Sequence, residues 1–213
     1  MRIQIDNADK TFFPEAGYSK GDLADYYRRI APTMLPHLED RPLTLHRFPD
    51  GIDGVNFIQK SVADHYPDWI ERVTVDKEDG RITHALANDA DALVWLVDQA
   101  AIAFHVWLSR HDRPHHPDRL IFDLDPADDD FALVVDAARA VRERLAALDL
   151  SAFVMTTGSS GLHVVVPLDR SADFDTVRDF AERMATQAPA ALALYGPVDA
   201  APTLDDLHNR RAA

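Results

Sequence analysis

Apolar positions along the chain follow two periods, and the places where one gives way to the other divide it into elements. The alternation over Arg2 to Ile5 predicts a short strand, followed by DNADKTFFPEAGYSKGD, whose Asn, Pro and Gly residues mark a loop. Ser19 fits a helix N-cap, with Asp22 at the third helical position and Leu23, Tyr26, Tyr27 and Ile30 at helical spacing. That helix is expected to run to about Ala31, where Pro32 interrupts it. Arg41 to Phe48 predicts a strand. After the turn at Pro49 to Gly51, VNFIQK gives a second one, with Asn56, Ile58 and Lys60 on one face and Val55, Phe57 and Gln59 on the other. WIERVTV and RITHAL predict two more, joined by the turn KEDG. From Asp91, the positions Leu93, Leu96, Val97, Ala100 and Ala101 have helical period, and HVWLSR returns to a strand.

Beyond the polar, Pro-containing loop HDRPHHPD, RLIFDLDP predicts a strand. Asp130 caps a helix with Leu133, Val134, Ala137, Val141 and Leu145 on its apolar face. AFVMTT and LHVVVPL are expected to be strands around the loop GSSG, and a last helix spans roughly Phe174 to Ala188. The order of elements implies an α+β fold with two sheet-containing lobes meeting at a cleft, and the boundary falls near Arg110 to Asp118.

Composition narrows the classes. At 213 residues, 46% hydrophobic and 27% charged, the chain can bury a core and does not read as disordered or fibrous. No run approaches the ~20 apolar residues that span a bilayer, and MRIQIDNADK lacks a signal peptide's apolar segment, so a cytoplasmic protein with no membrane partner is expected. With no Cys, disulfides, cysteine zinc sites and a cysteine nucleophile are excluded. The formal net charge of -14 argues against indiscriminate nucleic-acid binding, so any such contact needs a locally basic groove.

Three clusters could carry chemistry. In FDLDP, Asp123 and Asp125 lie two apart and share a strand face, while Phe122 and Leu124 point to the core. Such carboxylates repel unless a cation or proton sits between them, and oxygen ligands favour Mg²⁺ or Mn²⁺; the alternative is a solvated pair at a strand end. In TTGSSGLHVVVP, Gly158 and Gly161 let backbone N–H groups face an anion, with Thr157, Ser159 and Ser160 adding hydroxyls and His163 opening the next strand; the alternative is an ordinary hairpin. Lys10 and Lys20, two of four lysines, flank a loop leading into a helix, which suits phosphate capture as well as plain surface. Arg47, Lys60 and Arg110 are isolated cations near strand ends, and His105, near Trp107, fits a structural histidine on spacing alone.

Taken in order, ADKTFFPEAGYSKGDLADYY, RPLTLHRFPDGIDGVNFIQK, HVWLSR, PDRLIFDLDP and TTGSSGLHVVVPL resemble the polymerase domain of bacterial DNA ligase D, the end-joining member of the archaeo-eukaryotic primase superfamily. The resemblance covers about Ile5 to Leu168. It implies a single primase-polymerase-like domain with a DNA-end-binding lobe over 1–110 and a metal and nucleotide lobe over 119–213. It also implies metal-dependent nucleotidyl transfer, with Mn²⁺ or Mg²⁺ held by Asp123 and Asp125. By the same resemblance, His105, Thr157, Ser159 and His163 face the incoming nucleotide, and Asn7, Lys10 and Lys20 bind a DNA 5'-phosphate. Phe57 and Lys60 meet the template.

Departures from the family pattern are Ile58 in place of a second stacking aromatic and Ser160 in place of a cation. The chain ends at Ala213, before the family's closing segment, so an abbreviated last lobe is expected. The family's third carboxylate lies in a segment reading Asp, aromatic, apolar, Arg, Asn; on DDLHN it falls at Asp205. The implied function is addition of nucleotides, ribonucleotides by resemblance, at 5'-phosphorylated DNA gaps and broken ends. Implied partners are that DNA, nucleoside triphosphates, and a ligase and an end-binding protein acting in trans. The alternatives are a DNA-end-binding relative with little or no catalysis, and, remotely, a Mn²⁺-dependent glycosyltransferase.

Overall fold

The computed structural model describes residues 3–77, 80–126 and 130–186. The fold is α+β, built as two compact units that divide between Pro114 and His115, each with its own hydrophobic core.

The N-terminal unit opens without the predicted strand at residues 3–5. Ile3 is buried there for packing alone, with its carbonyl taken by Arg28 Nη2 at 2.7 Å. Strands β1 (Thr11–Phe13) and β2 (Tyr18–Ser19) pair antiparallel inside the predicted loop, where Phe12 is driven fully into the core. Helix α1 (Lys20–Leu38) starts as the sequence predicts, with a capping box in which Ser19 Oγ accepts from Asp22 N and Asp22 Oδ2 accepts from Ser19 N. It does not stop at Ala31. Pro32 and Pro36 lie four apart on the exposed side, where the carbonyls they leave unpaired can be hydrated, so the helix passes through both. Tyr26, on the predicted apolar stripe, is exposed, whereas Tyr27 is buried and donates to Ile102 O at 2.7 Å. Burial pushes the Tyr27 phenol up to about 12.

Strand β3 (Leu43–Arg47) is central in a three-stranded antiparallel sheet, between β4 (Phe57–Gln59) and β7 (Ala101–Val106). Strands β5 (Arg72–Lys77) and β6 (Gly80–Ala85) form a separate hairpin. Helix α2 (Ala90–Asp98), capped by Asp89, packs on α1 and buries Leu93, Leu96 and Val97 in the core. The sequence pattern continues this helix through Ala101, but Ala100 takes the left-handed conformation (φ 64°) and Ala101 opens β7. Burial of both alanines produced the helical spacing, and the predicted HVWLSR strand accordingly begins and ends earlier, at Ala101 and Val106.

In the C-terminal unit, β8 (Arg119–Leu124), β9 (Phe153–Thr156) and β10 (Leu162–Pro167) form an antiparallel sheet with β10 in the middle. Helix α3 (Phe131–Ala146) is capped by Asp130, whose Oδ1 accepts from Ala132 N at 3.0 Å. It buries Val134, Ala137, Val141 and Leu145, while Leu133 is exposed. Helix α4 (Phe174–Thr186) adds Ala181 and Met184 to the same core. Among the described residues, no helix is long and apolar enough to cross a membrane.

His84 on β6 is 1% exposed, stacked edge-on against Trp107, and its Nδ1–H donates to Leu43 O at 3.0 Å. Nε2 is buried without a partner, and burial holds the imidazole below the ordinary histidine value. The folded state therefore binds fewer protons here than the unfolded chain, so stability is intact above about pH 6.5 and falls as the pH drops below it. Urea unfolding at pH 7.5 and 5.5 should show a smaller pH-dependent loss in His84→Gln than in the wild type; equal losses would remove His84 from the account.

Candidate functional site

In the C-terminal unit, the alternation of β8 buries Phe122 and Leu124 and leaves Asp123 half-buried and Asp125, just past the strand, exposed. Antiparallel pairing with β10 sets His163 opposite Asp123 and brings His163 Nε2 to 3.1 Å from Asp123 Oδ1. The approach is misaligned for a hydrogen bond, so the buried Oδ1 has no hydrogen-bond partner. A buried carboxylate oxygen in that state is costly unless a cation or a donor arrives.

The β9–β10 loop shapes the other side. Gly158 has φ 83°, and a Cβ on Gly161 would lie 2.5 Å from Asp125 Oδ1 and 2.8 Å from Leu124 O, so only glycine lets the loop backbone lie this close to the carboxylate. Thr157 Oγ1 accepts from the N–H groups of Ser159 (3.3 Å) and Gly161 (3.2 Å), and its hydroxyl donates to Gly161 O (3.2 Å). Thr157 thus fastens the loop from within, while Ser159 and Ser160 are exposed.

Two adjacent carboxylates with an unsatisfied oxygen suit a hard divalent ion bound through oxygen. Among the described residues, however, no group of three His, Cys, Asp or Glu is gathered to hold one. Asp205, which the resemblance offers as a third carboxylate, lies outside the described residues.

The N-terminal unit gathers Asn7, Lys10 and Lys20 around one cavity of about 180 Å³, lined also by Phe12, Arg47, Pro49, Asp98, Gln99 and Ala100. Its loop is sewn onto the start of α1. Lys20 N donates to Lys10 O and Gly21 N to Ala8 O, both at 2.8 Å, which satisfies helix N–H groups that would otherwise be orphans. Asn7 sits in the left-handed region (φ 51°), and its carbonyl accepts from Lys10 N at 2.9 Å. Lys20 is buried: its Nζ donates to Asp6 O at 2.8 Å and to Asp98 Oδ1 at 2.7 Å, and the same oxygen accepts from Asp6 N at 2.9 Å. Lys10 Nζ is more open and reaches Pro49 O at 2.7 Å and Asp50 Oδ1 at 2.8 Å.

Sequence reasoning noted Arg47 only as an isolated cation and missed Asp98 and Gln99, which no local pattern singles out. His105 is exposed on β7, opposite Thr44, with its ring 6.4 Å from that of His46. Phe57, 40% exposed on β4, stands beside Arg47. Burial first, and Lys77 second, hold the Lys60 ammonium below the usual lysine value.

Comparison with known proteins places this mixture of helices and small antiparallel sheets in a family. The family model for the LigD primase-polymerase domain matches residues 19–194. The multifunctional non-homologous end joining DNA repair protein LigD of Mycobacterium tuberculosis is 37% identical over 201 residues, which cover 90% of this chain and 26% of the relative. The multifunctional non-homologous end joining protein LigD of Pseudomonas aeruginosa is 34% identical over 184 residues, covering 84% and 22%. The structure of the polymerase domain from Mycobacterium tuberculosis ligase D in complex with DNA superposes with a TM-score of 0.82 at 37% identity, covering 87% of this chain and 68% of that one. The chain belongs to the LigD primase-polymerase domain family, and spans about a quarter of the length of the curated relatives it matches.

The Lys20–Asp98 pair and the Lys10–Asp50 pair have similar lengths but opposite burial, with side-chain exposures of 8% and 8% against 41% and 65%. Asp98→Ala strands a buried ammonium and should destabilise the protein by roughly 3–5 kcal/mol. Asp50→Ala should stay within about 1 kcal/mol. Urea unfolding of the two variants measures the contrast, and equal losses would contradict the assignment.

Proposed function

We propose that this chain is a metal-dependent, DNA-directed nucleotidyltransferase that adds nucleotides at 5'-phosphorylated gaps and broken ends during end-joining repair. The observation that carries the reading is Asp123, whose buried oxygen has no hydrogen-bond partner, two residues before Asp125 just past the end of the same strand. Asp123 and Asp125 would hold Mn²⁺ or Mg²⁺, with Asp205 as the third carboxylate. A divalent ion there supplies positive charge to the triphosphate and makes the primer 3'-hydroxyl a better nucleophile.

The remaining work falls to the chain's own groups. Thr157 keeps the Ser/Gly loop in a turned shape that offers hydroxyls and amides to a phosphate, with Ser159 at its exposed tip. His163 Nε2, beside Asp123, and His105, exposed on β7, are the side chains assigned to the incoming nucleotide. Phe57 offers an exposed ring to a template base, with Lys60 on the same segment for the backbone. Asn7, Lys10 and Lys20 hold the downstream 5'-phosphate, a dianion that two ammonium groups and an amide are suited to bind. The full repair reaction also draws on a ligase and an end-binding protein, and ribonucleotides are the expected substrates.

Primer extension on a 5'-phosphorylated gap with Mn²⁺, using ribo- and deoxyribonucleotide sets in parallel, tests the reading. Asp123→Ala should abolish addition while leaving gap affinity and melting temperature nearly unchanged, because an unsatisfied buried oxygen contributes nothing favourable to folding. Extension that survives this change would sink the polymerase assignment. Lys10→Ala/Lys20→Ala, with Asp98→Asn added so that no buried charge is left unpaired, should lose the preference for phosphorylated over unphosphorylated gaps. Each charge-assisted contact contributes roughly 1.5–3 kcal/mol.

A further inference from the structure

Of the three cations lining the cavity, Lys20 is paired with Asp98 and Lys10 with Asp50, whereas Arg47 has no carboxylate partner among the described residues. It is held instead by neutral acceptors. Nε donates to Gln99 O and Nη1 to Gln59 Oε1, both at 2.6 Å, and Nη2 hydrogen-bonds to none of the described residues. The same guanidinium carbon lies 5.3 Å from the centroid of the Phe57 ring, within cation–π range, since Arg47 and Phe57 are register partners on β3 and β4. Arg47 is therefore the side chain that both lines the cavity and supports the exposed aromatic.

We propose that Arg47 is the coupling residue of the DNA-end site. Its guanidinium supplies the uncompensated positive charge that a terminal phosphate meets in the cavity, and because the Phe57 ring rests on that same guanidinium, a bound phosphate changes how the ring meets the template base. This rests on the reading of the cavity as a 5'-phosphate pocket. The chemistry favours arginine over lysine. The planar fork can keep its two neutral anchors and its place on the ring while its remaining donors turn to a phosphate, whereas an ammonium is a single point charge that cannot do all three. Without the phosphate the guanidinium already rests on Phe57 from its two glutamine anchors; a phosphate drawing on Nη2 re-aims it about those anchors, and the ring stacked on it moves with it.

The test uses the full chain on gapped DNA with a 5'-phosphate or a 5'-hydroxyl, each carrying 2-aminopurine at the templating position. Affinity reports phosphate capture, and quenching of the 2-aminopurine reports stacking on Phe57; Phe57→Leu calibrates the unstacked signal. In the wild type, the phosphate should tighten binding and deepen quenching together. Arg47→Gln should reduce the affinity advantage of the phosphate about tenfold, as expected for loss of one charge-assisted contact, and make quenching independent of the phosphate. Arg47→Lys should keep part of the affinity advantage yet also lose the phosphate dependence of quenching, and it decides the matter if the Gln variant does not fold. Phosphate-dependent quenching that persists in Arg47→Lys would overturn the proposal, as would wild-type behaviour of Arg47→Gln. If the variant combining Lys10→Ala, Lys20→Ala and Asp98→Asn keeps the full phosphate preference, the pocket reading itself fails. If that variant loses the preference while Arg47→Gln keeps it, only the role of Arg47 fails.

Discussion

The ion pair between Lys20 and Asp98 is the contact on which the N-terminal unit's cavity depends. Burying both ends carries a desolvation penalty, and the pair is tolerable because the remaining hydrogen-bonding capacity is used. Lys20 also donates to Asp6 O, and Asp98 also accepts from Asp6 N. That arrangement joins the first residue of α1 to the last residue of α2 and clamps the backbone of the loop between them. The loop is fixed a second time by the carbonyls of Ala8 and Lys10, which take the first N–H groups of α1. Gly21 belongs to the same seam, since a Cβ there would press on Ala8 at 3.2–3.3 Å. The cavity is thus held open by hydrogen bonds and one buried charge pair, and this is how an acidic chain can present a local cationic site.

The C-terminal unit follows the opposite logic. Its apolar residues are well satisfied, with Phe122, Leu124, Val134, Val164 and Val166 closely buried, yet at the strand end Asp123 Oδ1 and His163 Nδ1 are buried without hydrogen-bond partners. Gly161 lets the loop backbone approach Asp125, where any side chain would push it away. The first unit pairs its two cavity lysines and leaves Arg47 on neutral acceptors, and the second leaves an electrostatic demand open at Asp123. A terminal phosphate has to compete with existing pairs for the lysines but not for Arg47, and a cation relieves an existing deficit in the second unit.

Much of this was legible in the sequence wherever the determinant is local. The capping box at Ser19 and Asp22, the two-residue spacing of Asp123 and Asp125, and the Asp130 cap are set within four residues of chain, so pattern alone finds them. Lys10 and Lys20 stood out by their place around a loop leading into a helix, the ordered resemblance to the ligase D polymerase domain added Asn7, and the fold brings all three to one cavity. Tertiary facts were not legible. Arg47, Asp98 and Gln99 meet through the pairing of β3 with β4 and β7 and the docking of α2, none of which has a local signature. Pro32 misled because its effect depends on which side of α1 faces water, and Ala100 misled because burial imitates helical period.

The central claim is that the cavity built around Lys20 recognises a terminal phosphate monoester as distinct from the diesters of the DNA backbone. Phosphorus NMR of a 5'-phosphorylated gapped duplex titrated with the full chain observes that group directly. The account predicts that the monoester resonance shifts and that its pKa falls, because the lysines and Arg47 favour the dianion, while the backbone diester resonances move little. A monoester resonance that broadens only in step with the diesters, with its titration unchanged, would contradict it.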